Sequence, residues 1–150
     1  MSQLYYHNEP FTLESGATLP SLEIAYDTFG TLNEAKDNVI WVCHALTANS
    51  DVADWWPHTV EQGRFLDPER YFIICANFLG SHYGTTSPLS VNPETGKKYY
   101  YDFPQVTNLK LASNLSLSTV FRYVYPSITQ RSILSVLFGS FNSKIRKVHP

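Results

Sequence analysis

Asn38-Val-Ile-Trp-Val-Cys-His-Ala-Leu-Thr47 decides how this chain is read. Val39–Cys43 is apolar without alternation, the pattern of a central strand covered on both faces. A second run of the same kind is Tyr71-Phe-Ile-Ile-Cys-Ala76. Between them lie a long polar loop from Thr47 to about Pro57 and a short helix expected over Thr59–Phe65. Upstream, Leu22–Phe29 alternates as a half-exposed strand does, and Gly30 ends it. A shorter strand around Phe11–Leu13 is expected to pair with it as a hairpin, with Ser15-Gly16 as the turn. The order hairpin, buried strand, loop and helix, buried strand is the opening of an α/β sheet. Ligands of such sheets gather at the carboxyl ends of the strands. Here those ends carry His44–Thr47 and Asn77–Gly84.

The composition narrows the class. With 150 residues, 43% hydrophobic and 16% charged, the chain suits one domain with a real core. A formal charge of −2 gives no reason to expect nucleic acid or an anionic membrane as partner. No apolar run approaches the roughly 18 residues that cross a bilayer, and MSQLYYHNEP lacks the basic-then-apolar order of a secretory signal. Cys43 and Cys75 sit inside the two apolar runs as buried thiols, and the expected setting is reducing and cytoplasmic.

Each candidate for chemistry has a plainer reading beside it. A loop such as His44–Thr47 aims backbone N–H groups at a point outside the sheet. In the α/β-hydrolase arrangement it supplies half of an oxyanion hole, and the Leu46 backbone N–H is the candidate donor. Taken alone, His44 is a strand-end residue with its ring bonded to backbone. In the glycine–threonine loop from Asn77 to Pro88, His82 has no serine or acid placed with it by any motif, and the loop is expected to buttress the site floor. Asp51, Asp54 and His58 have spacings that suggest metal ligands, but no further His or Cys cluster joins them, and no metal is expected. Trp55-Trp56-Pro57 is expected to anchor the long loop. No Gly-x-Ser-x-Gly elbow is present: Gly80 and Gly84 flank His82, and Ser140 follows Gly139 without a second glycine.

Several segments together resemble one family. Asn38–Thr47 is similar to the strand and oxyanion loop of homoserine O-acetyltransferases, and Phe65-Leu-Asp-Pro-Glu-Arg-Tyr-Phe-Ile-Ile-Cys-Ala-Asn77 to the strand that follows. Leu79-Gly80, Tyr83-Gly-Thr-Thr86 and Pro88 resemble its glycine–threonine loop. Asn92-Pro-Glu-Thr-Gly-Lys97 and Asp102-Phe-Pro104 continue the match, which runs from about Phe11 to Thr107. The resemblance implies an α/β-hydrolase fold, in which this chain holds the N-terminal hairpin and the first parallel strands. It also implies transfer of an acyl group from acetyl-CoA to the homoserine hydroxyl in methionine biosynthesis, through a Ser–His–Asp triad and an acyl-enzyme. Acetyl-CoA is then a substrate and no cofactor is held. Family members are often homodimers. Of the catalytic parts, only the Leu46 N–H carries over to this chain; the nucleophile, Asp and His of the triad have no counterpart in it. Ser87 stands where the family usually has glycine, a change expected to strain the turn.

The composition changes where the resemblance stops. Residues 1–107 hold all thirteen acidic residues and five basic ones; residues 108–150 hold six basic residues and no acid. Leu109, Leu111, Leu115 and Leu117 suit neither a disordered basic arm nor an amphipathic face, and Pro126 interrupts what precedes it. The chain therefore divides into 1–107, the N-terminal part of an acyltransferase-like domain, and 108–150, a divergent tail left unassigned. A shifted reading frame is preferred for the tail over a native subdomain. The expected protein is a truncated acyltransferase, inactive alone, whose buried strands lack neighbours on one side. The alternatives are a succinyl-CoA-using relative or esterase of the same superfamily, and a non-catalytic binding or regulatory fragment.

Overall fold

The structure, a computed structural model, describes residues 2–45, 47–106, 133–137 and 146–147. Its centre is the pair of apolar runs. β5 (Val39–Cys43) and β6 (Phe72–Ala76) are buried at every position and lie parallel, with Val39 opposite Phe72 and Val42 opposite Cys75. No side chain in either strand needs water, which is why neither run alternates.

The antiparallel part is arranged differently from the sequence expectation. β4 (Leu22–Phe29) pairs on one side with β6 and on the other with β1 (Gln3–His7), Gln3 opposite Tyr26 and His7 opposite Leu22. β2 (Phe11–Thr12) pairs instead with β3 (Thr18–Leu19) in a separate two-stranded ribbon. Leu13 N–H donates to Ala17 O, closing a turn around Gly16, where φ is +82°. That turn is too tight to bring Phe11 beside β4, and Pro20 breaks the ladder after two pairs. The expected hairpin of Phe11–Leu13 with Leu22–Phe29 is thus corrected.

The helix expected over Thr59–Phe65 is absent; that stretch is a series of turns, with Gly63 at φ +74°. A single helical turn, α1 (Val52–Trp55), forms earlier, where the Asp51 carboxylate accepts from Asp54 N–H as a cap. Trp55 does anchor the loop: its Nε1 donates to Asn49 O at 2.9 Å, and its ring stacks on Trp56.

The large sheet runs β1-β4-β6-β5-β7-β8, where β7 is Ile133–Leu137 and β8 is Arg146–Lys147. β7 lies parallel to β5, with Val39 opposite Ile133 and Cys43 opposite Leu137. β5 therefore has a neighbour on both sides, and the expectation of a one-sided buried strand does not hold for it.

Alternation across the sheet builds two cores. Trp41, Cys43, Ile74 and Ala76 face one side with Leu13, Leu19, Leu22, Ile24 and Tyr99. Ile40, Val42, Ile73 and Cys75 face the other, under Val52 and Leu66. Cys43 and Cys75 thus lie on opposite faces and cannot be bridged. Burial pushes the Cys43 thiol up to about 11 and the Cys75 thiol higher still. The folded chain is accordingly expected to take up no iodoacetamide at pH 8, and the unfolded chain to take up two equivalents by mass spectrometry. Rapid labelling of the folded chain would contradict this burial.

Candidate functional site

The carboxyl ends of β5 and β6 open at one edge of the sheet. His44 follows β5 directly and is 3% exposed. Its Nδ1 lies 2.7 Å from Ala45 O, which can only accept, so Nδ1 carries the ring hydrogen. Nε2 is left as a bare acceptor, buried and without a partner among the described residues. Burial holds the imidazole below its ordinary pKa, so the ring is neutral near pH 7. Its ring rests on Phe78 at 4.3 Å between centroids. His44 is thus the strand-end residue with its ring on backbone that its position suggested. Leu46, the candidate oxyanion donor, lies outside the described residues, as do residues 107–132 and Ser140.

Phe78 joins His44 to a cleft of about 310 Å³ beyond β6, walled by Phe78–Tyr83, Pro88, Phe103, Pro104 and Val106. This wall is mainly apolar and aromatic, a surface suited to part of a small organic ligand. His82 sits in it, exposed, with its ring over Tyr83 at 4.2 Å.

Beneath the edge is a polar network that the sequence reading missed. Asp27 on β4 accepts from Ser50 Oγ at 2.6 Å and from Ser2 Oγ at 2.8 Å. Asn77 Nδ2 donates to Ser50 Oγ at 3.2 Å and to Tyr83 O at 2.7 Å. The loop after β5 is so tied to the loop after β6 through buried side chains. The one available signal was Asp27 itself, an acid directly following the apolar-leaning Ile24-Ala-Tyr26 in the strand.

The glycine–threonine loop has a definite structural task. β6 pairs with β4 only from Tyr26 onward. The earlier amides of β4 are taken up by the loop: Ala25 N–H donates to Thr85 Oγ1, and Glu23 N–H to Thr86 Oγ1. Thr86 N–H returns a bond to Glu23 O. The loop therefore continues the ladder where the strand stops. Ser87 causes no left-handed strain, since its φ is not positive; its Oγ accepts from Leu89 N–H in a turn. The expected strain at that position is corrected.

The metal-like spacing does not converge. Asp51 caps α1, and His58 pairs with Glu61 at 2.9 Å on the surface. Among the described residues no group of three or more His, Cys, Asp or Glu is placed to hold a metal. Among those residues, too, no helix is long and apolar enough to cross a membrane.

Comparison with known proteins agrees with this geometry. No protein-family model matches the chain. It is 58% identical over 103 residues to a homoserine O-acetyltransferase of Chlorobium luteolum, covering 69% of this chain and 29% of the relative. With the homoserine O-acetyltransferase of Saccharomyces cerevisiae it shares 44% identity over 133 residues, 89% of this chain and 26% of that protein. Among solved structures, homoserine O-acetyltransferase from Bacillus anthracis superposes with a TM-score of 0.72 at 29% identity, covering 83% of this chain and 36% of that one. The acetyl esterase MekB superposes with a TM-score of 0.72 at 27% identity, covering 91% and 36%. The chain spans about a third of the length of the relatives it matches. In sequence and in fold it is the counterpart of the N-terminal part of the homoserine O-acetyltransferases, a family of the α/β-hydrolase superfamily.

Proposed function

We propose that this chain supplies the N-terminal part of an acyl-CoA-dependent homoserine O-acyltransferase acting in the cytoplasm in methionine biosynthesis. In that reaction the acetyl group leaves the thioester sulfur of acetyl-CoA for a serine oxygen, and coenzyme A departs as the thiol. The homoserine hydroxyl then takes the acetyl group from the serine. Negative charge gathers on the acyl oxygen at both steps, and backbone N–H groups at a strand end stabilise it. The observation that carries the reading is the His44-Ala45 edge at the carboxyl end of β5, beside an apolar cleft. The likeness to homoserine O-acetyltransferases over the same residues supports it.

No nucleophile elbow is encoded in residues 1–150, so the pure chain is expected to release no thiol from acetyl-CoA in the presence of homoserine. The measurement is a thiol-release assay. Turnover well above buffer would overturn the proposed inactivity and require a nucleophile within these residues.

A second reading is an esterase, in which water replaces homoserine as acceptor. The likeness to the acetyl esterase MekB favours it. Assays of an enzyme containing this segment, with acetyl-CoA plus homoserine against a simple acetyl ester, separate the two. For residues 108–150, β7 in register with β5 supports a native continuation over a shifted frame. The aligned stretch with the yeast relative, longer than the first 107 residues, supports it too. Three-frame translation of the gene beyond codon 107 decides, because an elbow in another frame would reverse that preference.

A further inference from the structure

Among the described residues β1 is the outermost strand of the large sheet, with β4 on its inner side only. The direction of its backbone groups follows from β4. Ala25 N–H donates to Thr85 Oγ1, and Ala25 O accepts from Asn77 N–H. Glu23 N–H donates to Thr86 Oγ1, and Glu23 O accepts from Thr86 N–H. Ala25 and Glu23 therefore turn their backbone away from β1, while Leu22, Ile24 and Tyr26 turn theirs toward it. Gln3, Tyr5 and His7 stand opposite those three and face inward. The outer edge is left with the N–H and C=O of Leu4 and of Tyr6. The side chains of the same two residues are also open to solvent, Leu4 at 47% and Tyr6 at 53%. They share one face of the sheet, as alternate residues of a strand do.

Edge strands are commonly blunted by a charge, a proline or a bulge. Gln3-Leu-Tyr-Tyr-His7 holds no lysine, arginine, acid or proline, and its register with β4 is unbroken. The edge is also its own complement. Laid antiparallel to a second copy about Tyr5, Leu4 falls opposite Tyr6 of the other copy at both ends. Those are hydrogen-bonded pairs, so every outward group is answered. Leucine meets tyrosine across the strands, a favourable pairing, and no like charges are brought together. We propose that β1 is an association edge, through which two copies of this chain pair antiparallel with Tyr5 on the two-fold axis. Their large sheets then join into one. Five residues a side fall well below the roughly 20–30 of a lasting interface. The pair is therefore reversible, and its population rises with protein concentration.

The experiment is sedimentation velocity of the full 150-residue chain over a wide range of concentration, with amide hydrogen exchange measured at each end of the range. Growth from monomer to dimer is expected, with the Leu4 and Tyr6 amides exchanging more slowly in the dimer. A chain that stays monomeric throughout would overturn the proposal. So would a dimer that leaves those two amides unprotected, since it would use another surface. Association that runs past the dimer would overturn it as well, because a two-fold contact closes on itself. Two double variants test the register. Leu4→Lys with Tyr6→Lys sets like charges opposite each other at both ends and is expected to stay monomeric. Leu4→Glu with Tyr6→Lys sets opposite charges there and is expected to restore the dimer, more weakly at high salt. Identical behaviour of the two variants would overturn the proposed register. If either does not fold, the exchange measurement on the unaltered chain decides.

Discussion

Gly30→Ala is expected to lower the stability of the chain by about 4 kcal/mol or more, a loss in the range reserved for backbone strain and core disruption. Gly30 ends β4 with φ at +79°, where a side chain is already strained. A Cβ there would meet Tyr71 O at 2.2 Å and Pro68 O at 2.4 Å. Both are backbone atoms, so no rotamer change relieves the contact. The turn that feeds β6 would have to move, and Asn38, which bonds both Thr31 O and Arg70 O, would lose its geometry. Gly16→Ala is the matched control. Its φ is +82°, but nothing lies within 4 Å of the added carbon. It should cost only the left-handed penalty of about 1–2 kcal/mol. Urea unfolding of the two variants checks the difference, and equal losses would mean that the close approach at Gly30 is not real.

Trp41→Ala is expected to cost about 3–5 kcal/mol, since the largest fully buried side chain among the described residues leaves a cavity that the sheet cannot close. Trp41 sits at the middle of β5, opposite Ile74 on one side and Ser135 on the other. A sheet strand flanked by pairs relaxes less than a helix end or a loop does. Against a total stability of roughly 5–15 kcal/mol for a domain, such a loss puts the variant near unfolding at room temperature. Phe65→Ala, at a residue 52% exposed, serves as the comparison and should shift the urea midpoint little. Comparable shifts for both would place Trp41 outside the core.

Much of the fold was legible because its strongest elements are local. Val39–Cys43 and Phe72–Ala76 state their burial in composition alone, since only a strand covered on both faces can be apolar at every position. The glycine–threonine loop was legible as a support, and Trp55 as an anchor. Partners were not legible. Phe11 and Leu22 carry the right alternation for a hairpin, but alternation says which face is buried and not which strand lies alongside. The short helix moved from Thr59–Phe65 to Val52–Trp55 because Asp51 offers a cap, while Gly63 requires a positive φ that a helix does not allow.

At the site the division is the same. The residue types at the ends of β5 and β6 and the lack of an elbow in residues 1–150 follow from the sequence by itself, as do the order of the buried strands and the likeness of residues 11–107 to one acyltransferase family. Only the tertiary structure decided that β1 pairs with β4 and that β7 lies beside β5. It alone showed that Thr85 and Thr86 complete a ladder 60 residues away, and that Asp27, Ser50 and Asn77 form one buried network. The physical reason is that burial is a property of each residue and is written in its chemistry. A hydrogen-bond partner distant in the chain is chosen by which groups the fold brings within 3 Å, and no single residue records that choice.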